Sequence, residues 1–260
     1  MTDRYFLPNL QAESTSFELP PEEAAHATKV MRLQVGDALT VFDGCGWQGR
    51  AKIERISKHS VSIELSYREP VSREIAPRIH LGVPLPKGDR AKWLVEKLTE
   101  LGTAELTAVE CQHLQGTYGH GDSQLQKLRR TVIESSKQCG RNQLMDIRPP
   151  CGLQPYLSLP DRADAAWDGG SPSGQAPMKI IALPDAAVEL GAILQGLPGS
   201  IASGIPRQWW ILVGPEGGFS ADEVRQAREA GWCGVRLGPS ILRVETAAVA
   251  MVARIALDRA

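Results

Sequence analysis

Two glycine-rich segments near the C-terminus carry the residues best suited to chemistry. They are Val213-Gly214-Pro215-Glu216-Gly217-Gly218-Phe219 and Leu237-Gly238-Pro239-Ser240-Ile241-Leu242-Arg243-Val244-Glu245-Thr246. Each follows an apolar run and precedes a helix-like stretch. Glycine-rich loops leaving the same ends of neighbouring strands form a ligand crevice. The first loop is a poor phosphate cradle. Pro215 has no N–H, Glu216 would repel phosphate, and both the P-loop Lys-Ser/Thr and the dinucleotide pattern G-x-G-x-x-G are missing. Free backbone groups beside one carboxylate suit a neutral or cationic ligand with hydroxyls, such as an adenosine carrying a sulfonium. The plainer alternative is a tight strand-to-helix turn in which glycine supplies positive φ. In the second loop, apolar Ile241 and Leu242 read as a platform for a base. Arg243 would stand beside the reactive centre, with Glu245 and Thr246 at the start of the last helix.

Strands and helices must hold these loops. Trp209–Val213 is apolar throughout and reads as a buried central strand. Ser220-Ala221-Asp222-Glu223 is a capping box opening the following helix. From Arg78 onward strands and helices alternate. Ile79–Val83 is a strand, and Asp89 caps a helix to about Leu101 with a stripe through Trp93, Leu94, Lys97, Leu98 and Leu101. Ala104–Val109, Lys179–Leu183, Gln208–Val213 and Gly234–Leu237 are further strands, Ser123–Gln138 and Val244–Leu257 further helices. This alternation predicts an α/β domain with a parallel sheet and helices on both faces. The first seventy residues differ. Ala38–Phe42, Trp47–Ile56 and Ser60–Tyr67 alternate apolar and polar, after a short helix opened by Pro20-Pro21-Glu22-Glu23, and predict a small β-barrel. Arg68–Pro77 reads as a linker, and 160–177 as a flexible surface insertion.

Composition narrows the function classes. The chain has 260 residues, is 42% apolar and 23% charged, and carries a formal charge of −1. Residues 71–150 hold 12 basic and 9 acidic side chains, so a polyanion-binding surface is expected to be local and in the middle third. The five cysteines are odd in number and form no CxxC, and no histidines form HExxH, so neither a metal centre nor disulfides are expected. The N-terminus lacks an apolar signal region and no apolar run is long enough to span a bilayer. A cytoplasmic protein with no membrane association is the expectation.

GPEGGFS and LGPSILRVETA resemble the signatures of the RsmE family, RNA uracil-N3 methyltransferases of the SPOUT superfamily. The resemblance continues through Arg4-Tyr5-Phe6, His26, Val30-Met31-Arg32-Leu33 with Gly36-Asp37, Phe42-Asp43-Gly44, Lys87-Gly88-Asp89-Arg90, Glu96-Lys97, Glu100-Leu101-Gly102 and Gln138-Cys139-Gly140-Arg141-Asn142. It implies an N-terminal PUA-like β-barrel, here 1–72, and a C-terminal SPOUT α/β domain with a deep trefoil knot, here 73–260. It also implies a homodimer using S-adenosyl-L-methionine to methylate N3 of uridine 1498 in 16S ribosomal RNA of the small subunit. By matched position, Leu183, Pro184, Gly214, Pro215, Glu216, Gly217, Gly218, Phe219, Leu237, Gly238, Ile241 and Leu242 would bind the cofactor. Arg243 would stabilise charge developing on the base, with Glu245 fixing its guanidinium. Arg4, Lys29, Arg32, Gln138, Arg141 and Asn142 would bind RNA.

The chain departs from the family pattern at Cys111–His120, which is almost uncharged, at Gln143-Leu144-Met145 after QCGRN, and in the 160–177 insertion. The first two bear on RNA binding and none touches the cofactor loops. Two other readings are a SPOUT methyltransferase acting on another RNA such as tRNA, and a non-catalytic RNA-binding module. A small-molecule enzyme would need neither the leading barrel nor the basic middle.

Overall fold

The computed structural model describes residues 3–58, 60–113, 122–163, 176–197 and 208–258. The chain divides into two compact units, Met1–Glu74 with Val132–Leu144, and Ile75–Thr131 with Met145–Ala260. The first unit runs two residues past the expected boundary after residue 72 and takes in the segment 132–144. Buried polar pairing explains that: Lys137 Nζ donates to Glu23 Oε1 at 3.1 Å, and Arg141 pairs with Glu74.

The first unit contains β1 (Arg4–Phe6), β2 (Ser16–Glu18), α1 (Pro21–Ala25), a π-helical turn (His26–Val30), β3 (Ala38–Phe42), β4 (Trp47–Ile56) and β5 (Val61–Pro70). The sheet order is β1-β3-β4-β5-β2, antiparallel except for β1 against β3. Alternation in β4 and β5 places Ala51, Ile53, Ile63 and Leu65 in one core with Tyr5, Leu39 and Val41. β5 runs to Pro70, so the expected linker begins later than the prolines suggest. Pro70 sits at the strand's last pairing, opposite Trp47, where a missing N–H is tolerated.

The second unit contains β6 (Arg78–Val83), α2 (Asp89–Glu100), β7 (Glu105–Glu110), α3 (Asp122–Cys139, whose last turns count with the first unit), β8 (Asp146–Gly152), α4 (Leu153–Leu157) and α5 (Leu159–Ala163). It continues with β9 (Met178–Ala182), α6 (Leu190–Gly196), β10 (Gln208–Leu212), α7 (Ala221–Glu229), β11 (Cys233–Val235) and α8 (Val244–Asp258). The sheet is wholly parallel in the order β11-β9-β10-β6-β7-β8. This is an α/β architecture preceded by a β-barrel-like unit. α4 and α7 join the cluster under Trp210 and Leu212, while α8 packs on α2 and on β6.

Several expectations shift. β9 lies between β10 and β11, so the two glycine-rich loops do not leave neighbouring strands. β11 ends at Val235 because Arg236 leaves the sheet to pair with Val188 and Leu190. β8 and the three-residue strands β1 and β2 are additional elements. α2 starts without a side-chain cap: Gly88, at φ 62°, is the cap and Asp89 the first helical residue. Its buried face runs through Ala91, Leu94, Val95 and Leu98, which turns Trp93 outward. Most of the expected 160–177 insertion, 164–175, and most of the Cys111–His120 departure lie outside the described residues.

Candidate active site

In a parallel sheet every strand ends on the same edge, and loops there share a crevice. Three adjacent strands, β11, β9 and β10, deliver their outgoing loops to a cavity of about 280 Å³. After β9 come Leu183 and Pro184. After β10 come Gly214, Pro215, Glu216, Gly217, Gly218 and Phe219. After β11 come Leu237, Gly238, Ile241 and Leu242. All twelve residues expected at the cofactor site line this one cavity. Ala182, Val213, Val235, Arg236, Ser240, Val244 and Ala247 complete its wall.

The first loop is locally overdetermined. Phe219 folds back over Gly214 so closely that a Cβ there would stand 2.8 Å from the ring. Gly218 donates its N–H to the Pro215 carbonyl at 2.8 Å and takes φ 70°, open to glycine at little cost. The capping box that follows is fully formed: Glu223 N–H donates to Ser220 Oγ at 3.3 Å, and Ser220 N–H to Glu223 Oε2 at 2.8 Å. Glu223 is also buried and accepts from Gln112 N–H at 2.7 Å. His113 Nδ1, one residue on, donates to the Gly217 carbonyl at 3.2 Å. The segment after β7 is thus clamped to the cavity loop, and it lies within the stretch that departs from the family pattern.

Arg243 is exposed, and its side chain has no polar partner among the described residues. The expected Glu245–Arg243 pairing is not what the structure holds. Glu245 Oε1 faces Arg90 Nη1 at 3.5 Å, and the same nitrogen lies 3.6 Å from Glu216 Oε1. The helix start sets this geometry, because Arg243 precedes α8 while Glu245 lies in its buried first turn, against α2. Only 9% of the Glu245 side chain is exposed, and its Oε2 is buried with no hydrogen-bond partner. Asp89, Arg90, Trp93, Arg243, Glu245 and Thr246 line a second cavity of about 390 Å³. Arg90 and Trp93 were missed as site residues. One signal was available: a cation in a helix's first turn opposes the macrodipole, so Arg90 invites the question of what it is for.

The expected RNA contacts divide. Lys29, Arg32 and Gln138 are exposed. Arg32 has φ 56°, a left-handed backbone state uncommon for a non-glycine residue. Arg141 and Asn142, expected to bind RNA, are buried. Arg141 is 5% exposed and gives Nε to Glu74 Oε1 at 3.0 Å. Asn142 is 1% exposed and donates to the Val71 carbonyl at 2.9 Å. Arg4 donates to Asn142 Oδ1 at 2.7 Å and stacks over Phe42. Its pKa is lowered by burial and by neighbouring Arg73.

Among the described residues no group of His, Cys, Asp and Glu is arranged to hold a metal, and no helix is long and apolar enough to cross a membrane.

The comparisons with known proteins agree with this architecture. Residues 73–256 match the model of an RNA methyltransferase domain, and 19–66 match that of an RNA methyltransferase PUA domain. Ribosomal RNA small subunit methyltransferase E of Bacillus subtilis is 27% identical over 244 residues, covering 90% of this chain and 87% of that protein. The Rickettsia conorii protein of the same name is 26% identical, with 98% and 95% covered. Among solved structures, a Legionella pneumophila methyltransferase with bound SAM superposes with a TM-score of 0.82 at 28% identity, covering 98% of this chain and 97% of that one. The methyltransferase E of Neisseria gonorrhoeae, bound to S-adenosyl methionine, gives 0.81 at 27% identity, with 100% and 98% covered. With an RNA methyltransferase domain across most of its length and a PUA domain ahead of it, the chain belongs to the RNA methyltransferase family of the RsmE type.

Proposed function

We propose that this protein is an S-adenosyl-L-methionine-dependent methyltransferase acting on ribosomal RNA of the small subunit, at N3 of uridine 1498. The observation that carries the reading is the cavity at the ends of β11, β9 and β10, with Arg243 and Glu245 at its edge.

The residues present fit the cofactor. Leu183, Val213, Leu237 and Leu242 offer apolar surface to an adenine, and the glycine loops offer backbone N–H and carbonyl groups to ribose hydroxyls. Glu216 offers a carboxylate to a cation, whereas the same loop would reject a nucleoside phosphate. When bound, the cofactor supplies an electrophilic methyl group on a sulfonium. In this reading Arg243, exposed and without a polar partner among the described residues, meets negative charge on the base, and preorganised donors of this kind act mainly in the transition state. Two of the structural neighbours hold this cofactor, which supports the assignment. Exposed Lys29, Arg32 and Gln138 are the remaining candidates for gripping RNA.

A homodimer in the cytoplasm follows from the same reading. Ile241 at 85% and Leu257 at 70% exposure are large apolar side chains that a second copy would cover. Light scattering of the purified protein tests it.

The decisive experiment is nucleoside mass spectrometry of small-subunit RNA from cells lacking the gene, before and after treatment with the protein and S-adenosylmethionine. Appearance of one N3-methyluridine, mapped to position 1498, is expected. Methylation confined to transfer RNA would reassign the substrate, and no methylation of any RNA would leave only a binding module.

A further inference from the structure

We propose that Arg90, Glu245 and Arg243 together read the imide edge of uracil, and that Glu245 takes the N3 proton. The inference rests on the methyltransferase reading above and assigns chemistry to the second cavity.

Uracil presents acceptor, donor, acceptor along its O4, N3–H and O2 edge. The complement is donor, acceptor, donor. The cavity beside the cofactor loops offers two guanidiniums and one carboxylate, from Arg90, Arg243 and Glu245. Cytosine would set its amino group against a guanidinium and has no N3 proton to give, so the same set rejects it. Trp93, outward-facing at 42% exposure on the cavity wall, offers an indole on which a base stacks. The two cavities adjoin through Arg90, which lies 3.6 Å from Glu216 of the cofactor loop.

A second observation points to a ligand at Glu245. Its side chain is more than nine-tenths buried, yet Oε2 has no hydrogen-bond partner. A buried carboxylate oxygen left unpaired is costly, and a partner arriving with the substrate is one way in which that cost is met. The charged groups around this carboxylate are Arg90 and Asp89 on α2, Glu216 on the loop after β10, and Arg243 ahead of α8. Arg90 offsets the mutual repulsion of Glu216 and Glu245 and leaves Oε2 free.

The step balances without another reagent. The N3–H bond breaks, with its proton going to Glu245. The N3 electron pair forms the N–CH3 bond, the sulfonium carbon–sulfur bond breaks, and sulfur keeps that pair as a neutral thioether. The protonated Glu245 then returns its proton to water.

The test compares wild type with Glu245→Gln, which keeps the shape and removes the base. Single-turnover transfer to unmethylated small-subunit RNA should fall at least about 100-fold at neutral pH, the usual loss for a positioned base. The deficit should narrow by about tenfold per pH unit in alkaline solution, where hydroxide removes the N3 proton. Calorimetry should give an S-adenosylmethionine affinity within about threefold of wild type. Without cofactor, wild type should bind an RNA fragment carrying the target uridine about tenfold or more tightly than the same fragment with N3-methyluridine, a preference that Glu245→Leu loses. Turnover of Glu245→Gln within about threefold of wild type, or a deficit unchanged by pH, would overturn the proposal while N3-methyluridine formation by wild type kept the parent reading. Methylation by wild type at any other atom, or none, would overturn both.

Discussion

Arg243 and Arg141 look alike in sequence, each an arginine inside a motif, and the structure sets them in opposite surroundings, one exposed and one buried. Arg243 has no polar partner among the described residues and stands at the edge of the two cavities, so Arg243→Ala should leave the fold intact. Methyl transfer should drop about 100- to 1000-fold, with S-adenosylmethionine affinity nearly unchanged, checked by single-turnover kinetics and calorimetry. Arg141 is buried against Glu74. Removing it leaves a partly buried carboxylate unpaired, so Arg141→Ala should cost the first unit about 3 kcal/mol in urea denaturation. Burial, which no local pattern displays, is what separates the two.

At the scale of elements, the capping box of α7 does more than start a helix. Glu223 satisfies Ser220 N–H on one oxygen and Gln112 N–H on the other, tying the segment after β7 to the loop after β10. Glu223→Ala should destabilise by about 1 to 2 kcal/mol through the lost cap and the orphaned N–H groups. It should also weaken cofactor binding, measured by calorimetry, because the cavity loop loses its anchor. A second tie joins the strands. Glu105 on β7 is buried, which by itself raises its pKa, but nearby His80 on β6, its Nδ1 3.6 Å away, and a hydrogen bond from Arg148 on β8 outweigh burial and hold it below the usual carboxylate value. A depressed folded pKa gives stability that is fully present above the unfolded value and is lost as pH falls through the folded one. Urea midpoints should therefore fall below the ordinary glutamate range, and Glu105→Gln should flatten that acid limb.

These elements also show what a sequence can carry. The capping box, β10 and the cavity loops are local signals, a few residues long, and their positions were readable. β8 was not, because Pro149 and Pro150 argue against a strand, and a strand that carries them survives only at a sheet edge, where β8 lies. The placement of β9 between β10 and β11 is a crossover decision made by packing far along the chain. Arg90 showed only its misplaced charge at the helix start, because its two carboxylate partners come from remote segments.

For the whole molecule, near-neutral net charge means that RNA binding must come from local surfaces, and the structure narrows which ones. Lys29 and Arg32 are exposed beside Val30, Met31 and Val35, large apolar side chains also open to solvent. Arg4, Arg141 and Asn142 instead make hydrogen bonds inside the first unit. Each phosphate contact releases condensed counterions, adding about 0.7 to 0.9 to the slope of log affinity against log salt. The double charge reversal Lys29→Glu with Arg32→Glu should therefore flatten the slope for small-subunit RNA by about 1.5. It should weaken binding most at low salt and leave the urea midpoint within about 0.5 kcal/mol of wild type, as surface substitutions usually do. Arg141→Ala should do the reverse, lowering stability while the folded protein keeps the wild-type slope. Fluorescence anisotropy across a salt series, run at a temperature where all variants are folded, separates the two. An unchanged slope in the double reversal would move the RNA grip away from the segment around Arg32.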